Sequence, residues 1–99
     1  MGTIKEDFEF LANWWKKDTR FLSNPDQICN HLAYREVIKF GHNIIPYILE
    51  DLKAEDHLWF QALEELTGYH PYIPDSERGD IVYIRSLWLD WGREKGIID

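Results

Sequence analysis

Between residues 38 and 68 the chain reads Ile-Lys-Phe-Gly-His-Asn-Ile-Ile-Pro-Tyr-Ile-Leu-Glu-Asp-Leu and, after a short polar connection, Leu-Trp-Phe-Gln-Ala-Leu-Glu-Glu-Leu-Thr-Gly. Gly41 supplies the left-handed stop that a bulky side chain reaches only at a cost. Pro46 fits a helix only in its first turn, where its missing amide loses no hydrogen bond. Gly68 then closes a second amphipathic stretch. Helix, stop, helix, stop is the pattern of packed helical hairpins, and little else accommodates it.

The flanking sequence extends the same pattern. Thr3 and Glu6 form a capping box for a first helix to about Lys17, with Phe8, Leu11, Ala12 and Trp15 as its buried stripe. Trp14 is offset by about 100° and either widens the stripe or faces outward. Residues 18–25 read as a connector pinned to the core by Phe21 and Leu22. Asn24-Pro25, with Gln27, starts a short helical turn ahead of a stronger helix over 31–40 that buries Ala33, Tyr34, Val37, Ile38 and Phe40. Asn43 is the expected cap of the helix containing Pro46, whose stripe is Ile45, Ile48, Leu49 and Leu52. Asp56 is the expected cap of the next, 56–67, with Trp59, Phe60, Leu63 and Leu66 inward. Tyr69 to Gly79 holds Pro71 and Pro74 and makes the one substantial loop. Asp80 caps a last helix to about Lys95, with Ile81, Ile84, Leu87, Trp88 and Trp91 on its apolar face. No segment alternates long enough for a sheet, so the expectation is all-α: one domain, 1–99, built as a compact bundle of about five helices in HEAT-like antiparallel hairpins.

The segment from Ile38 and Gly41 through Ile45-Pro46, Ile48, Leu49 and Leu52 resembles the HEAT-type helical repeat, in which a glycine precedes a helix opened by an apolar-proline pair. The span from about Phe21 to Gly96 resembles a family of small uncharacterised bacterial proteins common in cyanobacteria. The residues that carry this likeness are His31, Ala33 and Tyr34; Ile38 and Gly41; Pro46, Leu49 and Leu52; Trp59, Phe60, Ala62, Leu63, Thr67, Gly68 and Pro71; and Trp88, Leu89, Trp91 and Gly92. Where the family pattern has proline, this chain has Leu32. The resemblance implies a helical fold and carries no established activity.

Charge narrows the functional classes. Eighteen acidic against eleven basic residues give a net charge of −7, which repels phosphate backbones and excludes direct nucleic-acid binding as the expectation. No stretch approaches ~18 apolar residues, so no membrane partner is expected. Glu6, Asp7 and Glu9 interrupt the run a signal peptide needs, and Cys29 is alone, so a cytoplasmic setting follows.

No reactive constellation is legible. His31, His42, His57 and His70 show no metal-ligand spacing, and neither a metal nor another cofactor is expected. His31 reads as an N-terminal helix cap or a packing residue. Arg35 and His42 match the loose arginine–histidine spacing of helical ribonucleases of the HEPN class, but Gly41 stops the helix between them. What stands out is the pairing of acids near two helix C-termini, Glu50-Asp51 and Glu64-Glu65, where the macrodipole disfavours negative charge by about 0.3–1 kcal/mol each. Either basic neighbours or a partner's cations compensate. With Glu55 and Asp56 these make a six-carboxylate hairpin, and Tyr69, His70 and Tyr72 lie on the loop that follows. These nine residues are the candidate partner-binding set. They point to a non-catalytic module that binds, and inhibits or escorts, a basic protein, as antitoxin-, immunity- or phage-inhibitor-like proteins do. Surplus tryptophans, with Trp14 foremost, point instead to a homo-oligomeric scaffold.

Overall fold

The Thr3–Glu6 capping box forms in both directions: the Thr3 hydroxyl accepts from the Glu6 amide at 3.2 Å, and the Glu6 carboxylate accepts from the Thr3 amide at 3.3 Å. The computed structural model describes residues 2–99. From this cap runs α1, Ile4–Thr19, followed by α2, Pro25–Cys29, and α3, Leu32–Lys39. A 3-10 turn, Gly41–Ile44, leads into α4, Ile45–Ala54; then come α5, Phe60–Thr67, a second 3-10 turn, Asp75–Glu77, and α6, Ile81–Glu94. Among the described residues there is no strand, and the fold is an all-α bundle with five helices longer than a single short turn.

Local chemistry places most of these ends. Asn24 accepts from the Asp26 amide with Pro25 opening α2, and Asp80 accepts from the Tyr83 amide at the start of α6. His31 caps α3 by accepting from the Ala33 amide at 3.0 Å through Nδ1, so the helix starts at Leu32 without a proline. Gly41 and Gly68 lie at φ +73° and +71°, the left-handed region that only glycine adopts at little cost.

α1 packs on α3, α3 on α5, and α4 on both α5 and α6. The helices close on one core. Phe8, Trp15, Tyr34 and Trp59 form its aromatic half, and Val37, Ile48, Leu49, Leu52 and Leu63 its aliphatic half. Trp15 and Trp59 rings lie 4.4 Å apart, and Tyr34 stacks on Trp59 at 5.3 Å. Each such side chain contributes roughly 1.5–3 kcal/mol by leaving water.

Four expectations are corrected. Phe21 and Leu22 do not pin the connector: they are 86% and 42% exposed. α1 runs on to Thr19, whose buried hydroxyl donates to the Trp15 carbonyl at 2.6 Å, and the turn closed by Leu22 N–H on Thr19 carries both side chains outward. Asn43 is not a cap, because the 3-10 turn runs continuously into α4 and Ile44 precedes it in a right-handed helical conformation. Asp56 does not cap α5, which begins four residues later at Phe60; Asp56 lies 3.1 Å from the Arg85 guanidinium instead.

The buried face of α6 is Trp88, Leu89 and Gly92 rather than a stripe reaching Ile81, which is exposed. Gly92 lies where α6 packs closest: a Cβ there would lie 2.8 Å from Leu49 Cδ1 and 3.1 Å from Ile98 Cγ1, so any larger residue requires those side chains to shift.

Candidate functional site

The hairpin acids reach basic or polar partners inside the chain. Asp51 is the most buried: Lys16 Nζ approaches one carboxylate oxygen at 2.6 Å, and the Trp59 indole N–H donates to the other at 2.8 Å. This carboxylate ties α1 to α4 and orients the central tryptophan. His57 Nδ1 lies 3.7 Å from the same oxygen without hydrogen-bonding. Burial first, then Lys16, hold this imidazole below its ordinary value.

Glu65 and Arg35 form a two-pronged pair across α3 and α5, with both N–H···O distances 2.8 Å, and Gln61 adds a third donor at 3.2 Å. The Arg35 hydrogen bonds hold the Glu65 carboxyl below its ordinary value of 4.5, and reciprocally raise the guanidinium. A depressed carboxyl contributes stability above its unfolded value and loses it as pH falls through the folded one. Because the pair is about one-third exposed, its share is about 0.2–1 kcal/mol. Urea unfolding followed from neutral pH to below 4.5 therefore shows an acid-induced loss of stability that Glu65→Gln diminishes.

Arg85 serves the end of α4. Its guanidinium donates to the Leu52 and Lys53 carbonyls at 2.5 and 2.6 Å while facing Asp56, so a cation meets the negative end of the helix dipole. Glu64 pairs with His70. Glu50 reaches Lys53 only at 3.8 Å, and Glu55 lies 3.3 Å from His57 Nε2. Both remain exposed. The structure thus divides the six acids: Asp51, Asp56, Glu64 and Glu65 face internal partners at close range, and Glu50 and Glu55 are the freer ones.

The aromatic loop also divides. Tyr69 stacks on Trp91 at 6.4 Å and meets Trp88 edge-on at 5.7 Å, so it is anchored with one side to solvent. Tyr72 is 83% exposed. His70, Pro71, Tyr72, Ile73 and Arg78 line a shallow depression; Asp75, paired with Arg78 at 3.0 Å, and Glu77 follow on the same loop, and Asp80 caps α6 at its end.

Other groups are held in structural contacts. Arg35 is occupied by Glu65, whereas His42 lines a separate groove with Pro46, Thr67 and Trp91. Cys29 is buried, which raises its thiol and leaves little thiolate. Among the described residues, no cluster of three or more His, Cys, Asp or Glu is arranged to hold a metal ion, and no helix is long and apolar enough to cross a membrane.

Sequence reasoning raised Trp14 as a candidate outward residue but missed Phe10 beside it. Phe10 and Trp14 are 68% and 36% exposed on the outer side of α1, where they line a depression with Asn13, Lys17 and Asp18. Their i, i+4 spacing was the available signal. Compared with known proteins, the chain matches no family model, no curated protein and no solved structure.

Proposed function

We propose that the chain is a non-catalytic protein-interaction module that binds a basic partner protein and, by covering it, inhibits or escorts it. The observation that carries this reading is the loop after Gly68: an exposed Tyr72 and a half-exposed, anchored Tyr69 on a segment bearing Asp75, Glu77 and Asp80. Exposed tyrosines supply contact area at low entropic cost, and surrounding acids steer a cationic surface onto them. The net charge of −7 favours a basic protein over nucleic acid. The HEAT-type pattern of residues 38–52 supports the same reading, since stacked hairpins serve as rigid binding scaffolds. A lone buried thiol fits the reducing cytoplasm.

Within the candidate set, Tyr72, His70, Glu55 and Glu50 have the freest access to a partner, with Tyr69 and Glu64 more closely held. Asp51, Asp56 and Glu65 act through the shape they maintain. The test is affinity capture on the immobilised domain. The retained basic protein elutes as salt is raised, and binding weakens at least about tenfold on Tyr72→Ser combined with Glu50→Lys, Glu55→Lys and Glu77→Lys. Capture indifferent to both salt and these substitutions contradicts the reading.

A further inference from the structure

α1 has two faces, and only one meets the core. At 100° per residue, Phe8, Ala12, Trp15 and Thr19 fall on the buried side, while Glu6, Asp7, Phe10, Trp14 and Lys17 fall on the other. The outer tryptophan is held in place, with Phe10 beside it. Phe10 and Trp14 rings lie 6.5 Å apart; the Trp14 indole donates to Asp18 at 2.9 Å and meets the His31 ring edge-on at 5.3 Å. Asp18 is held in turn by His31 Nε2 at 2.9 Å. An indole held in place loses little further entropy when covered.

The charges on this face are sorted by position. Glu6 and Asp7 occupy the first turn, and Lys17 lies at the other end beside Asp18, whose carboxylate is already held by Trp14 and His31. Glu6 is engaged in the capping box, but among the described residues Asp7 and Lys17 form no ion pair within the chain. Lys16, one position away, turns inward to Asp51. Phe10 and Trp14 are equidistant from the level of Ala12, and so are Asp7 and Lys17. A helix face with this spacing is complementary to itself when reversed.

We propose that the outer face of α1 binds a second copy of the chain, the two α1 helices running antiparallel about a two-fold axis at the level of Ala12. Under that symmetry Phe10 meets the second copy's Trp14, and Asp7 meets its Lys17, each contact occurring twice. α1 is roughly 24 Å long, and a single helix pair of that length is a small contact of the kind that weak, transient interfaces make, so the dimer is reversible.

The test is sedimentation velocity across a concentration series. The wild-type mass rises from 11.9 kDa toward twice that value, and Phe10→Ser stays at 11.9 kDa. Asp7→Lys and Lys17→Glu each remain monomeric, because each sets like charges against one another in a homodimer. Mixed in equal amounts they associate, because both contacts of the heterodimer are again opposite in charge. Circular dichroism checks that each variant is folded. A wild type that stays monomeric to about 1 mM, single variants that dimerise as the wild type does, or a mixture that fails to associate would each overturn the proposal.

Discussion

Trp59→Ala lowers the unfolding free energy by about 3–5 kcal/mol, a loss that approaches the whole stability of a small domain at the low end of the usual ~5–15 kcal/mol. Trp59 has no exposed surface, and its ring is in contact range of Phe8, Trp15 and Tyr34 together. Removing it opens a cavity where α1, α3 and α5 meet, and it also strips Asp51 of its indole donor. Urea unfolding monitored by far-ultraviolet circular dichroism measures the effect. Phe10→Ala is the matched control: an aromatic lost from the outer face of α1 shifts stability by no more than about 0.5 kcal/mol.

Tyr34→Phe costs about 1–3 kcal/mol although it removes a single oxygen. That hydroxyl donates to the Leu58 carbonyl at 2.9 Å and accepts from the Ala62 amide at the same distance. Ala62 is the third residue of α5, a helix whose own N-cap residue, Trp59, offers no side-chain acceptor. Tyr34 therefore caps α5 from another helix. Without the hydroxyl, a buried amide loses its acceptor and a carbonyl its nearest side-chain donor in one step. Burial also holds the phenol well above its ordinary value, so alkaline difference spectroscopy finds Tyr34 protonated until the protein unfolds. A change in stability below about 0.5 kcal/mol would show that the cap is dispensable.

These two side chains mark where sequence reasoning ends. The stops at Gly41 and Gly68, the capping box at Thr3, the start at Asn24-Pro25 and the cap at Asp80 were all legible, because each depends on residues within a few positions of one another. The start of α5 was not. Local chemistry pointed to Asp56, but the acceptor used by Ala62 comes from Tyr34, 28 residues earlier. The hairpin acids follow the same logic. Their placement near helix ends signalled that something compensates them, whereas the identities of Lys16 and Arg35 emerge only when α1 meets α4 and α3 meets α5. The buried face of α6 was missed for a related reason, because the close packing at Gly92 involves Leu49 on another helix.

The division of the hairpin acids has a functional corollary. Carboxylates that face Lys16, Arg35 and Arg85 hold helices together, so the proposed function assigns recognition to the loop after Gly68 with the freer Glu50 and Glu55. Hydrogen–deuterium exchange on the domain with and without its captured basic partner tests this most directly. The proposed function predicts that amides of residues 69–80 gain protection on binding, while the exposed α3–α5 edge around Arg35 and Glu65 exchanges as in the free domain. Protection confined to that edge, with the loop unchanged, would contradict it.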